Sequence, residues 1–121
     1  MQDCKDLDIL SVATTVASQA EGEALARAIL QRRLAACVQL EGGLTSFYRW
    51  QGKDCADPEV RVTVKTLPAC AAVLQEFFRE HHPYALPQFL ATCLQASVEY
   101  HAWVRGEVTI PPASEGQPDA V

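Results

Sequence analysis

No apolar run among these 121 residues approaches the roughly 20 needed to cross a bilayer. The opening Met1-Gln2-Asp3-Cys4-Lys5-Asp6 has neither the basic flank nor the apolar stretch of a secretory signal. Positive charge is scarce as well: 10 basic side chains against 15 acidic ones leave a net charge of −5. That balance argues against nucleic acid or an anionic membrane as partner. The five cysteines, Cys4, Cys37, Cys55, Cys70 and Cys93, are odd in number and contain no C-x-x-C pair. Such spacing suits reduced thiols in a cytoplasmic protein, each a small buried hydrophobe, and neither a disulfide frame nor a structural zinc site. There is no G-x-S-x-G, no P-loop and no H-E-x-x-H. The expectation is a cytoplasmic globular chain that is not an enzyme and requires no cofactor.

What is present reads as one domain over residues 1–106, with residues 107–121 as a flexible tail, because Pro111 to Asp119 offers nothing for a core. Leu7 to Thr15 is an apolar, β-branched run that predicts a buried strand. Ser18-Gln19-Ala20-Glu21 is a capping box that starts a helix carrying Leu25, Ala28 and Ile29, with Leu34 closing the pattern. A second strand opens at Ala36, is interrupted by a bend or bulge at Gly42-Gly43, and resumes from Leu44 to Trp50. Gln51-Gly52 suits a hairpin turn. Glu59 to Thr66 alternates valine with polar groups, as a half-buried strand does. Pro68 predicts the first turn of a second helix. Phe89 to Leu94 predicts a fourth strand. Ser97 predicts the cap of a last helix stopped by Gly106, with Tyr100 and Trp103 pinning it to the body.

The resulting order is β-α-β-β-α-β plus a C-terminal helix, an α+β, ferredoxin-like split βαβ arrangement in two layers. Length adds a further expectation. A helix of roughly 14 residues is about 21 Å long, whereas an arm from Ala36 to Trp50 extends to about 50 Å. Half of this long hairpin therefore has no helix to cover it, and its tip carries Phe47, Tyr48 and Trp50. Such a tip is expected to pack on further copies of the chain in a closed oligomer.

The corner Glu80-His81-His82-Pro83-Tyr84-Ala85-Leu86-Pro87-Gln88 concentrates the candidate chemistry. His82 precedes a proline and is pushed out of the helical region, so the helix ends there. Two imidazoles, a phenol and an amide then gather at a helix-to-strand corner, as ligands for a metal or a small polar molecule. The same residues also read as a helix cap with one solvated ring.

Arg33-Leu34-Ala35-Ala36-Cys37-Val38, Ser46-Phe47-Tyr48-Arg49-Trp50-Gln51-Gly52-Lys53, Val64-Lys65-Thr66 and His82-Pro83-Tyr84 occur in this order. Together they closely resemble the CutA family of divalent-cation tolerance proteins, over about Ile9 to Arg105. The resemblance implies a homotrimer with interlocking hairpins, similar in architecture to the PII signalling proteins. It also implies a link to copper and other divalent metals without catalysis.

His81 and His82 are then the candidate metal ligands, with Cu2+ the representative ion. Thr14, Lys65, Tyr84 and Gln88 are expected to line the cleft between subunits, and Tyr48, Trp50, Arg61 and Thr63 the trimer interface. Relatives often carry a glutamate where this chain has Ala85 or Gln88, and some a cysteine where it has Thr14 or Thr15. Loss of anionic ligands weakens metal binding by several kcal/mol, so the metal site is expected to be weak. The alternative is a PII-like signalling trimer that holds a small anionic or nucleotide ligand through Lys65 and the histidines. Acylphosphatase-like catalysis is not expected, because the loop Thr14-Thr15-Val16-Ala17-Ser18 lacks an arginine and a glycine nest.

Overall fold

The computed structural model describes residues 3–112. Four strands, β1 (Asp8–Val16), β2 (Cys37–Trp50), β3 (Lys53–Thr66) and β4 (Leu90–Gln95), form one antiparallel sheet in the order β2-β3-β1-β4. Helices α1 (Gln19–Gln31) and α2 (Ala71–His81) cover one face, and α3 (Val98–Glu107) follows the last strand. The fold is mixed α+β, as the sequence order predicts.

Local chemistry sets the boundaries. The Ser18 hydroxyl accepts from the Glu21 amide at 3.1 Å and caps α1. At its other end Arg33 adopts φ 54°, and the Leu34 amide returns to the Ile29 carbonyl. A single 3-10 turn at Pro68–Cys70 leads into α2, whose last amide bond comes from His82. His82 itself is extended, as the following proline requires. The β2–β3 hairpin closes through Gln51 and Gly52, both at positive φ, with Trp50 opposite Lys53.

Gly42-Gly43 makes a bulge. Glu41 pairs with Arg61 but Leu44 pairs with Glu59, so β2 carries one residue more than β3 across this step. The extra residue resets the alternation of β2 for the rest of the hairpin. Leu44, Ser46, Tyr48 and Trp50 consequently share a face with Glu59 and Asp57.

The main core lies between the sheet and α1/α2, where Leu10, Val12, Val16, Ile29, Val62, Val64, Leu74 and Phe78 are fully or almost fully buried. A smaller cluster of Ile9, Leu67, Cys70, Val104 and Val108 holds α3. The expectation that Tyr100 and Trp103 pin α3 is corrected. Those two rings stack on each other at 5.5 Å, and Trp103 is 45% exposed, while the inward position is taken by Val104. Gly106 does not stop the helix, which runs to Glu107. Val108 is buried and the Thr109 amide donates to the Arg33 carbonyl, so the body continues past residue 106. Of the expected tail, residues 113–121 lie outside the described residues.

The cysteine reading also needs correction. Cys4 and Cys93 form a disulfide across 89 residues of sequence, stapling the segment before β1 to edge strand β4. Cys37 is half-buried opposite Lys65 and not in the core, and among the remaining thiols Cys70 alone is buried.

Among the described residues, no helix lies beneath the outer half of the hairpin. Phe47 is 79% exposed, and Tyr48 and Trp50 are close to half exposed. One sheet face therefore continues beyond the helical layer as an uncovered arm with an aromatic end.

Candidate functional site at the hairpin cleft

The corner after α2 leans on the hairpin and encloses an open cleft of about 640 Å3. Thr15 of β1, Glu59 of β3, Ser46, Tyr48 and Trp50 of β2, and Tyr84, Leu86 and Gln88 of the corner line it. Among the described residues, Glu59 is the one charged side chain in that lining. The Tyr84 hydroxyl donates to its Oε2 at 2.5 Å, and the Tyr48 hydroxyl donates to Asp57 Oδ2 at 2.5 Å. Burial, then the bond to Glu59 and its charge, push the Tyr84 phenol well above the ordinary tyrosine range. The bond to Asp57 is the main cause that pushes Tyr48 up to about 12. The cleft thus offers carboxylate, phenol, hydroxyl and amide oxygens beside aromatic rings.

His82 anchors the corner from behind. Its Nδ1 accepts from the Tyr84 amide at 3.0 Å, and its Nε2 meets Thr14 Oγ1 at 2.9 Å. Because a backbone amide can only donate, Nδ1 carries no proton and Nε2–H is the donor to Thr14. Burial holds the imidazole below its ordinary range, outweighing a hydrogen bond to the Thr15 backbone and then the charges of Glu21 and Glu59. The ring is a neutral brace with both nitrogens engaged.

His81 faces elsewhere. Arg32 donates to its Nε2 at 3.1 Å, its ring stacks on Phe77 at 4.6 Å, and the Arg32 guanidinium lies over that same phenyl ring. It lines a second, smaller cleft with Glu21, Ala28 and Pro83. The adjacent imidazoles therefore do not converge as a ligand pair within one chain, because His81 is helical and His82 extended.

The remaining expected site residues divide. Tyr84 and Gln88 line the main cleft, as do Tyr48 and Trp50. Thr14 is fully buried behind the wall, and its neighbour Thr15 reaches the surface instead. Lys65 sits six residues from Glu59 along β3, about 20 Å at strand rise, and does not line the cleft. Arg61 pairs with Glu41 at 3.3 Å on the open sheet face, and Thr63 lies beside it opposite Gln39 and Ala13.

Sequence reading missed Glu59 and Asp57. The signal was available in the register. Counting back from the Gln51-Gly52 turn puts Tyr48 opposite Cys55 and diagonal to Asp57. Glu59, two residues further along β3, then falls on the same face.

The family description "CutA1 divalent ion tolerance protein" matches residues 10–107. The chain belongs to the CutA1 family. The divalent-cation tolerance protein CutA of Thermus thermophilus is 39% identical over 95 residues, covering 78% of this chain and 92% of that protein. Human protein CutA is 40% identical over 82 residues, and the match spans 46% of its length. The solved structure of CutA from Synechococcus elongatus superposes with a TM-score of 0.81 at 34% identity, over 87% of this chain and 94% of the other. The CutA1 match spans the whole sheet apart from the first residues of β1, together with both covering helices and all of the cleft.

Proposed function

We propose that this CutA1-family chain is a non-enzymatic, cytoplasmic homotrimer that takes part in divalent-cation tolerance and binds a cation such as Cu2+ weakly at clefts between subunits. Its α+β order is read as ferredoxin-like, and the uncovered hairpin of one copy is read as packing on the next. The observation that carries the proposal is the bare aromatic end of that hairpin, Phe47, Tyr48 and Trp50, beside a cleft whose one charge is Glu59. Apolar rings left in water favour association. A second copy seated there would bury Tyr48 and Trp50, together with the open-face residues Arg61 and Thr63.

Oxygen donors without a thiolate or a free imidazole favour modest affinity. Glu59, Tyr84 and Gln88 are the proposed donors. Thr14 and His82 hold the corner in shape, and His81 is left to Arg32. Lys65 would reach a cleft only from a neighbouring subunit. No specific observation favours an anionic or nucleotide ligand, because the cleft presents a carboxylate and no cation. Three unpaired cysteines, Cys37, Cys55 and Cys70, support a reducing compartment.

Native mass spectrometry of the disulfide-closed chain, with and without a few equivalents of Cu2+, tests both parts. The expected result is a trimer that takes up one copper per subunit and loses it in Glu59→Gln. A monomer overturns the assembly, and a trimer that stays metal-free overturns the cation site.

A further inference from the structure

Cys4, Asp8 and Cys93 lie together at the end of the sheet away from the hairpin tip, and the cleft uses none of them. The Lys5 amide donates to Asp8 Oδ2 at 2.8 Å and the Asp8 amide donates to the Lys5 carbonyl at 3.0 Å. This turn folds the segment before β1 back along β4, which brings Cys4 onto Cys93. Asp8 opens β1 opposite Gln95, and Cys93 sits opposite Leu10, so both side chains emerge on the same face of the sheet. Asp8 is only 8% exposed, an unusual place for a carboxylate that has no cationic partner among the described residues. The two sulfurs and a carboxylate oxygen all lie within 4.8 Å of one another.

We infer that Cys4, Asp8 and Cys93 form a site for a zinc-type divalent cation, closed by the Cys4–Cys93 disulfide and opened by its reduction. The redox step balances simply. A cellular dithiol supplies two electrons and two protons, the S–S bond becomes two thiols, and the dithiol becomes a disulfide. The incoming cation displaces both thiol protons to solvent and takes two thiolates and an Asp8 oxygen, with water in the fourth position. Two sulfurs and a carboxylate suit tetrahedral Zn2+. With metal–sulfur bonds of about 2.3 Å, tetrahedral ligand atoms stand about 3.8 Å apart, so the two sulfurs, bonded to each other in the disulfide, must draw apart on reduction while the Asp8 oxygen stays within reach. Cys4 precedes the first strand, so its backbone can yield to the wider spacing without disturbing the sheet. In a reducing compartment the open form dominates, and oxidation expels the metal.

Co2+ replaces Zn2+ as the probe because thiolate coordination gives it a charge-transfer absorption. The full chain is titrated after phosphine reduction and again in its oxidised form. One Co2+ per reduced chain is expected, displaced by Zn2+, with no band from the oxidised chain. Thiol counting in denaturant, which exposes the buried Cys70, should give three groups before reduction and five after, from Cys37, Cys55 and Cys70 alone and then all five cysteines. Cys4→Ser should abolish the band, and Asp8→Asn should keep it but weaken affinity about tenfold or more. Glu59→Gln should leave it unchanged, which separates this site from the hairpin cleft. A reduced chain without the band, an unaltered band in a folded Cys4→Ser, or five thiols before reduction would each overturn the proposal.

Discussion

Thr14 and His82 are 68 residues apart and share a buried hydrogen bond of 2.9 Å. The bond ties the middle of β1 to the residue that terminates α2, and the other ring nitrogen holds the Tyr84 amide. The orientation of the cleft wall therefore depends on one neutral imidazole. A proton on Nδ1 would remove the bond to Tyr84 and place a charge where burial opposes it.

Stability should consequently fall in mild acid. Burial lowers the folded-state value of His82 below its unfolded value of about 6.5. As pH drops, the unfolded chain takes up the proton first. The stabilisation is thus complete above about pH 6.5 and is lost as pH falls through the folded value. Urea midpoints between about pH 7.5 and pH 5.5 should decline in the parent chain and less steeply in His82→Gln. Gln keeps a donor for Thr14 but does not titrate. Parallel declines would remove His82 as the cause.

The two phenol–carboxylate pairs should delay tyrosine ionisation. Both folded-state values lie above the ordinary value of about 10. Their stabilisation is present below about pH 10 and lost as pH rises through the folded values. At about pH 11, absorption of the folded chain should show the Tyr48 and Tyr84 phenols still protonated. Asp57→Asn should release Tyr48, whereas Glu59→Gln should lower the Tyr84 value only in part, because burial remains as its first cause. Unchanged titration in both variants would contradict the pairing.

The Ser18 cap gives a purely local prediction. Ser18→Ala should destabilise the chain by about 1 kcal/mol, whereas Ser18→Gly should cost only a few tenths. Chemical denaturation at constant disulfide state measures both. Equal losses would mean that the hydroxyl bond to the Glu21 amide contributes little.

Much of the fold was legible because its signals are local. The Ser18 and Ser97 caps, the break before Pro83, the Gln51-Gly52 turn and the valine alternation of β3 each depend on neighbours within four residues. Even the bulge could be read from two adjacent glycines. The candidate site was half legible. The corner and the aromatic tip stood out, whereas Glu59 and Asp57 acquire meaning only once the hairpin register brings them beside Tyr84 and Tyr48.

By itself the sequence determined the order of elements, the end of α2 at His82 and the excess length of the hairpin, because backbone sterics and side-chain periodicity act at short range. Tertiary structure alone decided three other matters. It sent His81 towards Arg32 and His82 towards Thr14, it buried Val104 in place of Trp103, and it joined Cys4 to Cys93. Each depends on which strand lies beside which, and that follows from burying the whole core at once, a property no single segment contains.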